Sequence, residues 1–291
     1  MGEVAQRLDA HHHVWDLDAR DQLWIDRVAM APIARSFGVD ELALAAADCS
    51  IDGTIVVQTA ADTVETEELL DLAISTDLVR GVIGWTDVTA PGVGDELDRL
   101  RELPTGGRLV GIRSLAQYEP DLRWLARPDV IDGLRAVASR GLTFDLLVLP
   151  HQLPGACAAA RAVPEARFVL DHLGKPGVPT RPSWETGIAE LASCPNVYVK
   201  ISGLVIESDW SDWDPRRLQP YVEFVLNLFG PDRLLFGSDW PVCTLAASYA
   251  RIVEVTEELL SALTATERAA VFGGTAQHAY GLVGRPREGS T

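Results

Sequence analysis

Asp9-Ala10-His11-His12-His13-Val14-Trp15 stands near the start of the chain, with Leu8 before it and an apolar Val14-Trp15 pair closing it. Those flanks have the character of a buried strand. Side chains alternate across a strand, so His11 and His13 project to one face and His12 to the other. Two residues of rise separate the first and third imidazoles by roughly 6.6 Å along the backbone, close enough to converge on one ion or one substrate atom. A remnant of a polyhistidine tag would lie at the terminus among unrelated flanks, which these are not. An H-x-H pair alone does not define a site, so its meaning depends on what the other strands bring to it.

Working outward, β-branched and apolar runs at 54–59, 79–88, 109–115, 143–149, 167–172, 197–202 and 233–239 read as seven further strands. Helical patterns separate them. The Ala- and Leu-rich segment 39–48 follows an irregular loop at 24–32. The pattern Asp62-x-x-Glu65 reads as a capping box opening a helix to about Thr76. Residues 95–103 form a short charged helix. Pro128 sits in the first turn of a helix that stops at Gly141. Segment 153–163, a helix reaching Ala192 after the Pro-rich loop 175–182, segment 218–229 and long patterns to Tyr280 complete the series. Strands alternating with helices predict a parallel α/β fold. No Gly-rich dinucleotide turn is present, and polar residues gather at the C-terminal ends of the strands. These features favour a TIM-like (β/α)8 barrel over an open doubly wound sheet. The barrel is expected to occupy 1–284 as a single domain, with a frayed tail at 285–291.

The 291 residues, 47% hydrophobic and 23% charged, suit a protein with one large core. A net charge of −17, spread along the chain, argues against nucleic acid or an anionic membrane as partner. Cys49, Cys157, Cys194 and Cys243 form no C-x-x-C pair and read as buried free thiols. No cationic leader with an apolar core opens the sequence, and no apolar run is long enough to span a bilayer. The expectation is a cytoplasmic enzyme acting on a small molecule, with a homo-oligomer left open.

The residues that end the strands are the informative set. His11 and His13 end the first, His172 the sixth and Asp239 the eighth, while Gln58, Arg113 and Lys200 lie on the second, fourth and seventh. In a barrel they converge at one mouth. Each has a plainer reading: His172 as a core histidine, Asp239 as a helix cap before Pro241, and Lys200 and Arg113 as partners of Asp145 or Asp171. His151 reads as a loop residue and His278 as a surface one. Taken together the plainer readings are weak, because all the exceptions fall at one end of the fold and buried charges need partners.

The stretches D-A-H-H-H-V-W, F-V-L-D-H-L-G-K-P, V-Y-V-K-I-S-G-L, L-F-G-S-D-W-P and F-G-G-T-A-Q-H-A-Y-G-L resemble the amidohydrolase superfamily. The likeness is strongest to its lactonase branch, which includes sugar-acid and 2-pyrone-4,6-dicarboxylate lactonases. It runs from about Arg7 to Leu282 and implies the TIM-like barrel, with His11, His13, His172 and Asp239 at functional positions. Many two-metal members carry a bridging lysine at the end of strand four. This chain has Arg113 there, a poor ligand, so at most one divalent ion is expected, with Zn²⁺ the first candidate and a metal-free site also open.

The expected reaction is opening of a small lactone to its hydroxy acid. Asp239 activates the water. His11, His13 and His172, with Asp239, bind the ion, or the imidazoles polarise the carbonyl themselves. Arg113 and Lys200 are expected to orient substrate oxygens, and His151, Gln58, Trp85 and Trp240 to wall the pocket. The scarcity of basic residues at strand ends favours a sugar-acid (aldono) lactone over a dicarboxylated pyrone. The alternatives are a pyrone dicarboxylate lactonase, a single-metal non-oxidative decarboxylase, and an inactive barrel that binds a carboxylate or sugar.

Overall fold

The computed structural model describes residues 6–180 and 183–282. Residues 181–182 of the Pro-rich loop, the expected domain end at 284 and the tail 285–291 lie outside them. Eight parallel strands run in sequence order: β1 (Leu8–His12), β2 (Gly53–Val57), β3 (Val79–Gly84), β4 (Leu109–Ser114), β5 (Thr143–Leu146), β6 (Arg167–Leu170), β7 (Val197–Ile201) and β8 (Leu234–Phe236). Helices α1 (Val39–Ala47), α2 (Thr63–Ser75), α3 (Val93–Glu102), α4 (Pro128–Ser139), α5 (Leu153–Ala162), α6 (Trp184–Ala192), α7 (Pro215–Phe229) and α8 (Tyr249–Leu259) follow the strands in turn. Short α9 (Ala265–Ala269) and α10 (Thr275–Ala279) come last. The ring closes just beyond the end of β8, where Asp239 N–H donates to the His11 carbonyl at 2.8 Å and His13 N–H to the Trp240 carbonyl at 2.7 Å. The protein is a TIM-like (β/α)8 barrel.

Period-two alternation sorts the strand residues into two layers. Phe144, Leu146, Phe168, Leu170, Val199 and Phe236 face outward into the core shared with the helices. Leu8, Ala10, Ile55, Val57, Val169 and Leu235 fill the lower interior, which Tyr280 seals after α10. The next inward positions on β4, β5 and β7 are Arg113, Asp145 and Lys200, so charge replaces hydrocarbon one layer up. On β1 the register shifts between Asp9 and His12, and this irregularity lets both Ala10 and His11 face inward.

Several boundaries differ from the sequence expectation for local reasons. β3 ends at Gly84 rather than 88, because Trp85 N–H donates to Thr66 Oγ1 at 2.8 Å instead of continuing the ladder. β5 ends at Leu146, ahead of the turn in which Leu149 N–H is taken by Gln152 Oε1 at 2.9 Å. Asp62 caps α2 through Val64 N–H, but Glu65 does not reach back to complete a capping box. Its carboxylate instead accepts from Thr59 N–H, Ala60 N–H and the Thr59 hydroxyl, satisfying three donors where β2 ends.

Candidate active site

The seam between β1 and β8 builds the centre of the site. On the outward side of β1, buried Asp9 accepts from His11 N–H, Ser238 N–H, the Ser238 hydroxyl and the Tyr249 hydroxyl, at 3.0, 2.9, 2.6 and 3.1 Å. Burial outweighs these neutral donors and pushes its pKa up to about 6. His12 is buried on this side, with no hydrogen-bond partner for either ring nitrogen among the described residues. On the inward side, His11 Nε2 and His13 Nε2 lie 3.2 Å apart, each 3.7 Å from Asp239 Oδ1. His172 Nε2 completes the group at 4.0 Å from the same oxygen. The four residues read from the strand ends therefore meet at one point.

Each member is held from behind. His13 Nδ1 donates to the Val57 carbonyl at 2.7 Å, which leaves Nε2 as its lone pair. His172, in a left-handed backbone conformation, meets the Ser202 hydroxyl through Nδ1 at 2.9 Å. Gly203 makes this approach possible, since a Cβ there would lie 2.7 Å from His172 Nδ1. Burial keeps His172 neutral, with a pKa near 4, and His11 is also held well below the usual histidine value by burial and the neighbouring Lys200 charge. Asp239 is different. Burial raises its pKa, but His172, His13 and Lys175 together outweigh that, and it stays below the ordinary carboxylate value.

Beneath the imidazoles lies a buried layer of charge that meets the cavity only at Arg113. Lys200 donates to Asp145 at 2.5 Å, pairs with Asp171 at 2.9 Å and approaches His11 Nδ1 at 3.1 Å. Arg113 pairs with Asp171 at 2.9 Å, donates to the Gln58 carbonyl, and lies 3.5 Å from His11 Nε2. The Tyr280 hydroxyl closes the layer below by donating to Asp145. Two cations balance two anions, and each carboxylate holds a partner of opposite charge.

Above the histidines opens a cavity of about 210 Å³, large enough for one small ring. His13, His172, Asp239, Arg113, Thr59, Lys175, Gln117, Tyr118 and Glu207 supply its polar wall, and Trp24, Met30, Leu115, Leu147, Ile206 and Val242 its apolar one. Lys200, Gln58, Trp85, Trp240 and His151 are not among these lining residues. Lys200 lies a layer below, and Gln58 Nε2 donates to the Arg113 carbonyl. Trp240 packs edge-on against Phe37 behind the seam, and His151 is exposed on its loop. Trp24, Lys175, Tyr118 and Glu207 were not assigned from the sequence. They come from loops, where no periodicity marks an inward position, although Lys175 stands in the quoted stretch around His172. Cys243 is buried with its thiol pKa pushed far up, which makes it inert. Cys157 and Cys194 are also buried, Cys49 is half-buried, and all four are free.

The donor set suits one small divalent ion. Tetrahedral bonds of about 2.0–2.1 Å place neighbouring ligand atoms about 3.3–3.4 Å apart. The spacings of 3.2 and 3.7 Å among His11, His13 and Asp239 bracket that value. Asp171 Oδ1, paired with Lys200 Nζ at 2.9 Å, also lies 3.3 Å from His11 Nδ1, the position of a carboxylate that orients a ligating histidine from behind. Arg113, near the end of β4, stays protonated and offers no metal ligand.

The model of the amidohydrolase family matches residues 8–282. An L-fucono-1,5-lactonase of Burkholderia multivorans is 36% identical over 291 residues, covering 96% of this chain and 97% of that protein. An L-fucono-1,5-lactonase of Burkholderia ambifaria is 36% identical over 284 residues, covering 94% and 95%. The crystal structure of an amidohydrolase from Burkholderia multivorans with bound zinc superposes with a TM-score of 0.90 at 36% identity, covering 95% of this chain and 99% of that one. With eight strands, a histidine–aspartate centre at their C-terminal mouth and this match along nearly its whole length, the chain belongs to the amidohydrolase family.

Proposed function

We propose that the protein hydrolyses a sugar-acid lactone, of the deoxy-aldonolactone kind, to its hydroxy acid, with Asp239 as general base. The observation that carries this reading is the convergence of His13, His172 and Asp239 at the floor of a small, partly apolar cavity, with His11 buried against them just beneath. The 36% identity to L-fucono-1,5-lactonases supports the substrate class.

Asp239, ionised among imidazoles, takes a proton from water as the oxygen attacks the ring carbonyl carbon. Ser202 can donate to His172 Nδ1, so that His172 presents Nε2–H toward the carbonyl oxygen and the negative charge that develops there. The ring C–O bond then breaks, the leaving oxygen takes a proton, and the product acid ionises. His11, His13 and Asp239 are the residues that would hold a divalent ion, with Zn²⁺ the proposed identity, and it would supply Lewis-acid polarisation of the carbonyl. Arg113 and Lys175 present donors to substrate oxygens, while Glu207, Thr59, Gln117 and Tyr118 offer partners for hydroxyls. Trp24, Met30 and Val242 give the ring or a methyl end an apolar face.

The charge of the cavity favours a neutral polyol ring over a pyrone dicarboxylate. Arg113 is already bound to Asp171 and Gln58, and Lys175 lies in the field of Glu207 and Asp239. Two substrate carboxylates would meet acidic neighbours with little cationic charge left to pair. Proton release at constant pH tests this. L-fucono-1,5-lactone and related deoxy-sugar lactones should turn over, faster than the pyrone dicarboxylate, with no CO₂ evolved. Faster opening of the pyrone would overturn the substrate assignment, and CO₂ release without lactone opening would overturn the reaction.

A further inference from the structure

Thr59 lies just beyond the end of β2, lines the cavity and is otherwise buried. Its backbone N–H donates to Glu65 Oε2 at 2.9 Å, and its hydroxyl donates to Glu65 Oε1. Gln22 Nε2 meets the same hydroxyl oxygen at 2.7 Å. Glu65 and Gln22 are both buried, and neither is among the residues that line the cavity.

The direction of each bond is fixed from the far end of the chain of contacts. An indole N–H only donates, so Gln22 presents Oε1 to Trp24 Nε1, at 2.9 Å. The Gln22 amide nitrogen is then the atom that faces Thr59, and it too only donates. Thr59 Oγ1 therefore accepts from Gln22, and its single proton goes to Glu65. Ala60 N–H also donates to Glu65 Oε2, at 2.8 Å. Three donors thus meet a carboxylate that has only lone pairs to offer them.

Thr59 has two polar protons, and Glu65 takes both. Lone pairs on Oγ1 and on the backbone carbonyl are all that remains. Toward any molecule in the cavity, this residue can only accept.

Resting on the lactonase reading above, we propose that Glu65 is a positioning residue that acts through Thr59. By holding both Thr59 protons, it makes this part of the wall an acceptor that selects a free hydroxyl on the substrate ring. A ring hydroxyl has a proton to give. A carboxylate, carbonyl or ether oxygen would instead meet Thr59 lone pair against lone pair. The contact that binds a polyol ring therefore also disfavours the carboxylates of a pyrone.

The test uses L-fucono-1,5-lactone and its monodeoxyfluoro analogues, one for each ring hydroxyl. Fluorine accepts weakly and cannot donate. Comparing the parent-to-analogue ratio of kcat/KM across variants cancels the intrinsic reactivity of each lactone. In the wild type, the analogue lacking the hydroxyl that Thr59 reads should fall about 3–10-fold below the parent, the worth of one hydrogen bond. Thr59→Ser keeps the hydroxyl and should keep that ratio, whereas Thr59→Val should abolish the preference.

Glu65→Gln is the decisive variant, with melting curves confirming the fold. The N–H groups of Thr59 and Ala60 hold the introduced amide oxygen, so its NH₂ faces Thr59 Oγ1. Thr59 then accepts from this amide and from Gln22, and its own proton is released. Hydroxyl and fluorine both accept, so the preference for the hydroxyl should disappear although Thr59 is still present. If Glu65 only satisfies the end of β2, Glu65→Gln changes kcat/KM for every lactone alike and leaves each ratio at its wild-type value. That outcome, or wild-type ratios in Thr59→Val, overturns the proposal while the lactonase reading stands. A wild-type protein that opens none of these lactones overturns the lactonase reading and this assignment with it.

Discussion

Asp9 and Asp239 lie on opposite sides of the seam between the first and eighth strands, both buried, yet their surroundings drive them to opposite protonation behaviour. Four donors surround Asp9, and all are neutral. They bond it well without offsetting the loss of water, so its pKa rises to about 6. Asp239 has imidazoles and Lys175 around it, and their electrostatic influence outweighs the same burial. Burial alone therefore does not make a carboxylate catalytic. Neutral donors leave a carboxylate that takes up a proton readily, and cationic or ionisable neighbours leave one that stays ionised at neutral pH.

The largest effect should come from testing the base. Asp239→Asn preserves shape and removes the proton acceptor, so turnover should fall roughly 10²–10⁴-fold, with KM and melting temperature changing far less. Near-wild-type turnover would mean that Asp239 only caps the following turn, and the contrast with Asp9 would collapse.

Asp9→Asn should show its effect in stability and its pH dependence. Because the folded-state pKa is raised from 3.8 to about 6, the folded protein binds the proton more tightly than the unfolded chain. That contribution is complete below the unfolded value and is lost as pH rises through the folded one. The amide cannot titrate. Relative to wild type, the variant should gain stability from about pH 4 to about pH 7, by up to about 3 kcal/mol. Melting curves of both proteins across that range check this, and a constant difference would mean that Asp9 stays ionised as Asp239 does.

The smallest effect concerns the wall. Trp24 Nε1 donates to Gln22 Oε1, and Gln22 Nε2 donates to Thr59 Oγ1, which fixes the indole beside the cavity. Trp24→Leu should raise KM about 3–10-fold with kcat little changed, as expected for losing an aromatic face that binds ground and transition states alike. A fall in kcat with KM constant would place Trp24 nearer the chemistry.

The sequence was most informative where a repeating rule applied. Alternation in Val197-Tyr198-Val199-Lys200-Ile201 marks Lys200 as inward, and the parity of His11 and His13 marks them as partners. Alternation does not say how deep an inward residue lies. Lys200 belongs to the layer below the cavity, bound to Asp145 and Asp171, which is the plainer of the two readings its sequence allowed. The register shift in β1 is equally silent in the sequence, because it depends on how neighbouring strands pair. Glu65 shows a different limit: it stands where a capping box would use it, but the open donors at the end of β2 claim its carboxylate. The loop residues Trp24, Tyr118 and Glu207 follow no period at all, and only the folded barrel brings them to one wall.

The backbone bond from Asp239 N–H to the His11 carbonyl has a consequence for the order in which the molecule is made. A growing chain exposes His11 and His13 first, and it must extend through seven strands before the residue that completes their site is synthesised. Until then β1 and β7 both present open edges, the most adhesive surfaces a sheet can have. Joining the eighth strand removes both edges and brings Asp239 to the histidines in the same event. A fragment ending before residue 234 therefore lacks both the ring closure and Asp239, the proposed base, so on that proposal full activity cannot precede a complete barrel.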